Sequence, residues 1–284
     1  MKLTFLGTAA ATACPLVFCR CAACRMAWEK GGKDLRRRSS LLIDDDLLID
    51  LGPDLMSAAF AFGIDVSRIR YWLQTHSHSD HFDAAHLVTR ISDYATIDTL
   101  PLALCASPET MRHMSERLGM EEYGAALENP LWQKRLNLSP HPLHHGDTVT
   151  LGHRRITAVE SNHDPRDGSL LWVIEEGNTA FLYATDTMQF TENALALFKE
   201  RSLRFDAMAI DHTYGPGTSG GGHLCADEVV AEINRLKSIG CLKPHCRIFA
   251  THISHEGMPL HEELSAFAAK NGYEIAFDGL TITF

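Results

Sequence analysis

Short apolar runs recur along this chain, and clusters of glycine, proline and acidic residues separate them. Residues 2–6 read as an opening strand that enters a loop at Gly7 and Thr8. The runs 39–44 and 47–51 flank the acidic turn of Asp44, Asp45 and Asp46 and predict the two strands of a hairpin. A helix is expected over 54–62, because Pro53 precedes it and Gly63 follows it. Residues 69–75 then predict a strand leading straight into a histidine-rich stretch. Further strand patterns at 148–151, 156–160, 170–175 and 180–184 are divided by Gly and Asp turns. Helical patterns at 192–200, 226–238 and 260–271 alternate with strands at 207–211, 247–251 and 274–277.

Strands in both halves with helices between them predict two sheets sandwiched by helices. The stretch 107–138 is mostly helical in pattern, with Ser107 and Pro108 as N-cap and first-turn residues and Gly119 as a stop. It reads as an insertion, expected to border a pocket, with a surface decoration or dimer contact as the alternative. No repeat, low-complexity tract or linker interrupts the chain, so residues 1–284 are expected to form one domain.

With 45% hydrophobic and 22% charged residues, the 284-residue chain has ample material for a buried core. The net charge of -10, with Arg36, Arg37 and Arg38 as its basic cluster, lacks the footprint of a nucleic-acid binder. A small-molecule partner is favoured, and bound divalent cations would keep an anionic one compatible with an acidic protein. Ala11-Thr12-Ala13 imitates a signal-peptide cleavage site, but the run before it is weakly hydrophobic and interrupted by Gly7 and Thr8. No stretch approaches the roughly 18 apolar residues that span a membrane. A cytoplasmic protein without a membrane partner is expected, and a homodimer is left open.

His76-Ser-His78-Ser-Asp80-His81 places four potential ligands in six residues after an apolar strand. Imidazole and carboxylate together suit Zn, Mn or Fe, and four such groups exceed what one catalytic metal takes from one loop, so two metals are implied. The plain alternative is a solvated polar loop with chance histidines. The motif resembles the signature of the metallo-β-lactamase superfamily, whose fold is a four-layer αββα sandwich. That resemblance implies further ligands at later strand ends, where His163, Asp186 and His252 stand. It assigns His76, His78 and His163 to one metal, Asp80, His81 and His252 to the other, and Asp186 to both.

Cys19-Arg-Cys21-Ala-Ala-Cys24 offers three thiolates in six residues, a spacing that can wrap one tetrahedral ion. His255, three residues after His252, can complete a closed structural zinc site; three metal-free cysteines are the alternative. Both features together resemble the phosphoribosyl cyclic phosphate phosphodiesterases of carbon-phosphorus lyase pathways. The shared stretches are Leu6-Gly7-Thr8, the cysteine group, the arginines before Ser39-Ser40, the histidine loop, Asp186-Thr187, Thr251 to His255, and Phe277-Asp-Gly-Leu. The chain departs from that family at Ala9 to Ala13, where glycines are usual, and in a longer 107–138 segment.

The ligand set predicts hydrolysis by a hydroxide bridging two metals, oriented by Asp80, and the resemblance implies a small cyclic or ribose-linked phosphate ester as substrate. His223 follows three glycines at a helix start and is not needed as a ligand. It is expected to bind phosphate and protonate the leaving group, against the plainer roles of cap or solvent-facing residue, with His212 as a weaker rival. Competing readings are a lactone- or thioester-cleaving hydrolase, an iron oxygenase, and a non-catalytic accessory protein like the pyrroloquinoline-quinone biosynthesis member. The complete ligand set favours catalysis over binding.

Overall fold

The computed structural model describes residues 1–94, 96–256 and 260–284. One seven-stranded sheet carries β1 (Lys2–Gly7), β2 (Ser40–Ile43), β3 (Leu47–Ile49), β4 (Tyr71–Leu73), β5 (Leu102–Ala106) and β6 (Leu138–Pro142) side by side in chain order. The last strand, β14 (Thr281–Thr283), returns to pair antiparallel with β1. The second sheet runs β7 (Thr148–Leu151), β8 (Arg154–Glu160), β9 (Leu170–Glu176), β10 (Thr179–Ala184), β11 (Phe205–Asp211), β12 (Leu242–Thr251) and β13 (Glu274–Ile275). Each sheet starts antiparallel and ends parallel, the change falling at the β3–β4 pair in the first and at the β10–β11 pair in the second.

Residue alternation explains why the sheets stack. Leu41, Ile43, Leu47, Ile49 and Leu73 of the first sheet meet Ile156, Trp172, Ile174, Phe181 and Phe249 of the second in one buried cluster. The intervening Leu42, Leu48, Trp72 and Leu104 face the other way, onto α2 (Leu55–Phe62), α3 (Ala84–Val88), α4 (Pro108–Glu121) and α5 (Pro130–Leu136). On the far side Leu171, Val173, Leu182, Met208 and Ile210 pack against α6 (Glu192–Glu200), α7 (Ala226–Ser238) and α8 (His261–Lys270). Strands apolar on both faces are what a layer buried on both sides requires. The result is the expected αββα sandwich.

The segment 107–138 is a crossover between β5 and its parallel neighbour β6, the kind of long connection a parallel pair needs. Its helices place Met111, Met114, Leu118, Trp132 and Leu136 on the first sheet's outer face. Ser107 caps α4 as its sequence predicts, Oγ accepting from the Thr110 backbone N–H at 3.0 Å. Gly119 does not stop the helix, which runs on to Glu121. A Cβ there would lie 3.3 Å from the Ala125 carbonyl oxygen, so glycine instead admits the returning chain. Among the described residues no helix is long and apolar enough to cross a membrane.

Candidate metal centre

Strand ends of both sheets converge on one edge of the sandwich. β4 delivers the histidine loop, β8 leads to His163, β10 to Asp186 and β12 to His252. Loops after strand ends can hold polar groups that the strands' apolar faces cannot, and rigid strands fix where those groups sit. Buried Gln74 fastens the histidine loop. Its Nε2 donates to the carbonyls of His76 at 2.6 Å and His81 at 3.0 Å, and its Oε1 accepts from Leu51 N and Trp72 Nε1. Gly52 permits the same loop to approach, since a Cβ there would stand 2.6 Å from the Asp80 carbonyl oxygen.

His76, His78, His163 and Asp186 offer ligand atoms that all lie within 4.8 Å of one another, and so do Asp80, His81, Asp186 and His252. Asp186 belongs to both sets. Its Oδ2 lies 3.3 Å from His76 Nε2 and 3.4 Å from His163 Nε2, while Oδ1 lies 2.9 Å from His252 Nε2 and 3.2 Å from His81 Nε2. Every residue assigned to the catalytic metals by resemblance is therefore brought together, in the two groups expected. Asp186 and His252 both hold left-handed backbone, with φ of 54° and 60°. For residues with a Cβ this costs on the order of 1 kcal/mol or more, and such strain gathers at functional sites.

The donor set fits cations. Buried His76 Nε2 and Asp186 Oδ1 have no hydrogen-bond partner, although charged atoms stand close by. Leaving such atoms unsatisfied costs about 1–3 kcal/mol each, which coordination would remove. Burial opposes ionisation of Asp80 and Asp186, yet the surrounding imidazoles hold both carboxyls well below the usual range. Burial lowers His76 far below an ordinary histidine, keeping its ring neutral as a ligand must be.

The outer contacts orient the rings. Asp50 Oδ2 accepts from His81 Nδ1 at 2.7 Å and its Oδ1 from the Thr75 backbone N–H at 2.8 Å. Thr213 Oγ1 lies 2.9 Å from His252 Nδ1, and the Gly222 carbonyl accepts from His163 Nδ1 at 2.9 Å. Such partners fix the tautomer of a metal-binding imidazole. Asp50, Gln74 and Thr213 escaped the sequence reading because each is an ordinary residue just beyond a strand end.

His223 also reaches this edge. Its ring centroid lies 4.6 Å from that of His163 and 5.0 Å from that of His252. Nδ1 pairs with Asp211 Oδ2 at 2.8 Å, and Asp211 is itself held by the backbone N–H groups of Thr187 and Thr213. His212 points elsewhere: it is buried, and Nε2 lies 3.0 Å from the Tyr273 hydroxyl. Alternation along the chain explains this, since neighbours at the end of β11 face opposite sides.

A second cluster lies at the N-terminal loop, where Cys19, Cys21 and Cys24 surround His255 Nδ1 at 3.8, 3.6 and 3.4 Å. With ordinary zinc bond lengths, a sulfur–nitrogen edge of the tetrahedron is about 3.6 Å. Cys21 caps α1 (Ala22–Lys30), and the Cys24 backbone N–H, then His255, draw its thiol down to about 6. Burial, then the neighbouring cysteines, push Cys24 up to about 12. Three cysteine sulfurs and one imidazole gathered at this spacing could hold a metal ion.

Residues 46–253 match the family model of the beta-lactamase superfamily domain. The chain belongs to this superfamily. Among solved structures it is similar to a diphosphatase from the PhnP family, with a TM-score of 0.73, 23% identity, and coverage of 100% of this chain and 96% of that one. It is similar to Zn(2+)-bound PqqB from Methylobacterium extorquens at a TM-score of 0.72 and 20% identity over the whole of both chains. The short form of human tRNase Z follows at 0.66 and 14%, covering 100% of this chain and 99% of that one. These likenesses are of fold. A search of curated protein sequences finds no match. Within the superfamily frame, the converging strand ends are a metal-binding hydrolase site.

Proposed function

We propose that this chain is a dinuclear metal-dependent phosphodiesterase acting on a small cyclic or ribose-linked phosphate ester. One observation carries the reading: a histidine outside both ligand sets, His223, stacks on His252 and meets His163 at a tilt, with its Nδ1 fixed on a buried aspartate. His76, His78, His163 and Asp186 would hold one ion, and Asp80, His81, His252 and Asp186 the other. Two such ions, when bound, lower the pKa of water toward neutrality and polarise phosphoryl oxygens. Asp80, anchored beside His81 and His252 at 3.2 and 3.6 Å, is placed to orient the attacking oxygen.

The proton for the departing oxygen comes from His223. Asp211 accepts a hydrogen bond from Nδ1–H and so holds the ring in place, which leaves Nε2 to deliver the proton as the phosphorus–oxygen bond breaks. No hydrogen bond engages Nε2 among the described residues. The three-cysteine cluster with His255 would hold a structural zinc, closed to substrate because no fourth position is left open.

His223→Ala should keep its metals and lose about a hundredfold or more in turnover, most with alkyl phosphodiesters and least with nitrophenyl esters. Elemental analysis with rates on that pair of substrates checks this. An equal loss on both esters would remove the acid role. Wild-type protein that cleaves lactones or thioesters and no phosphodiester would overturn the assignment.

A further inference from the structure

Outer partners hold the rings of His81, His252 and His163. The His78 ring has no such hydrogen bond among the described residues: its side chain is 40% exposed, and the nearest outer carboxylate, Asp164 Oδ2, stands 3.5 Å from Nε2. What is fixed beside His78 is the backbone. Asp167, 2% exposed, accepts from the Ser77 backbone N–H through Oδ2 and from the Ser77 hydroxyl through Oδ1 at 2.8 Å. Ser77 stands between His76 and His78, and Asp167 lies on the same β8–β9 loop as His163. One buried carboxylate thus joins the two chain segments that deliver all three imidazoles of one ligand group.

Asp167 is itself held from several sides. His113 of α4 donates from Nδ1 to Oδ1 at 2.5 Å, and the Thr110 hydroxyl donates to the Asp167 backbone carbonyl at 2.7 Å. Gly168 lets the loop press this close to α4: its φ is 61°, and a Cβ there would meet Ser107 Oγ at 2.7 Å and Glu109 Oε2 at 2.8 Å. Just beyond, the Leu170 N–H donates to the Thr75 carbonyl at 2.9 Å, so β9 begins already fastened to the end of β4. Hydrogen bonds to a carboxylate are stronger than those between neutral groups, and this one takes three. The other ligand group has its own supports, Asp50 on His81 and Thr213 on His252. Among the described residues neither of these bonds to Ser77 or Asp167.

We infer that Asp167 is a positioning residue for one ion of the pair. By fixing Ser77 against the loop of His163 it sets the spacing of His76, His78 and His163, and with it the affinity for the ion they would hold. This rests on the two-ion part of the proposed function and is independent of the ester cleaved.

The test titrates metal-free protein with zinc against a chromogenic chelator, so that the successive binding steps are resolved. Asp167→Ala should weaken a single step by about tenfold or more and leave the rest within about twofold, the loss expected for an outer partner of one metal's ligands. Asp50→Asn should weaken a different step, and the double variant both, additively. A residue that only supports the fold would lower every step alike. Unchanged affinity in Asp167→Ala, losses spread evenly over all steps, or a loss on the same step as Asp50→Asn each overturns the inference. If Asp167→Ala does not fold, Asp167→Asn decides by the same criteria, with a smaller loss expected because one oxygen still accepts from Ser77. Should wild type take up no metal at these strand ends, the metal reading has failed, and hydrogen exchange decides the role of Asp167 by itself. A Ser77 amide that exchanges about tenfold faster or more without the carboxylate upholds it, and equal rates end it.

Discussion

The two histidine-containing clusters of this molecule share a loop, His252 and His255 being three residues apart, yet they are built on opposite plans. In the first, seven ligand side chains come from the ends of four strands, and the rings of His81, His252 and His163 each have a fixed outer partner. In the second, three thiols come from one short loop and helix, with backbone N–H groups of Leu16, Cys21 and Cys24 as their outer contacts. The first shares Asp186 between two ligand groups. The second closes on a single point. A site meant to react needs ligands held apart by rigid strands with room left between them; a site meant to fasten needs only thiolates at short spacing.

The sharpest way to break the contrast is Asp80→Ala. It removes a ligand and the carboxylate that orients the attacking oxygen, while strands and loop remain held by Gln74 and Asp50. Turnover should fall on the order of a thousandfold, with the far-ultraviolet circular dichroism unchanged. Near-normal rates would show that the site does not work as two coupled halves.

A smaller effect tests whether the outer contacts matter. Asp50→Asn leaves every ligand in place but weakens the charge that holds His81 in its tautomer, and should cost about ten- to a hundredfold in metal affinity. Competition with a chelator reads this directly. An unchanged affinity would mean that strand geometry alone fixes the ring.

Legibility in the sequence followed the same division. Ligands that cluster, such as His76 to His81 and Cys19 to Cys24, announce themselves, and apolar runs bounded by turns located most strands of the second sheet within two residues. What stayed hidden had weak local signals. β6 (Leu138–Pro142) contains two prolines and is tolerated because it is an edge strand. β5 (Leu102–Ala106) lacks β-branched residues, and β14 is three residues long. Asp50, Gln74, Asp167 and Asp211 act only through partners distant in sequence, as Asp167 does on Ser77 ninety positions away. No local pattern marks such residues. That 107–138 connects two parallel neighbours is equally hidden, because its return strand β6 carries no strand signal of its own.

The mildest perturbation concerns the fastening cluster. Cys21→Ser should remove one zinc per chain by elemental analysis and lower Tm by roughly 4–8 °C, as expected for about 2 kcal/mol in a chain of this size. Turnover should change less than tenfold, because the ligands on β4, β8 and β10 do not depend on this loop. Only His252 is near enough to feel the loss. The same site gives a pH signature whose sign is fixed. The Cys21 thiol, drawn down to about 6 by the Cys24 backbone N–H and His255, would be a thiolate above that pH and so able to bind zinc there. As pH falls through about 6, protons compete for Cys21, so zinc and its contribution to stability should be lost on the acid side and kept on the neutral side. Zinc released to a chromogenic chelator between pH 7 and 5 would follow this course in wild type. If the release curve were the same in Cys21→Ser, Cys21 would not be a ligand, and the closed tetrahedral arrangement would have to be given up.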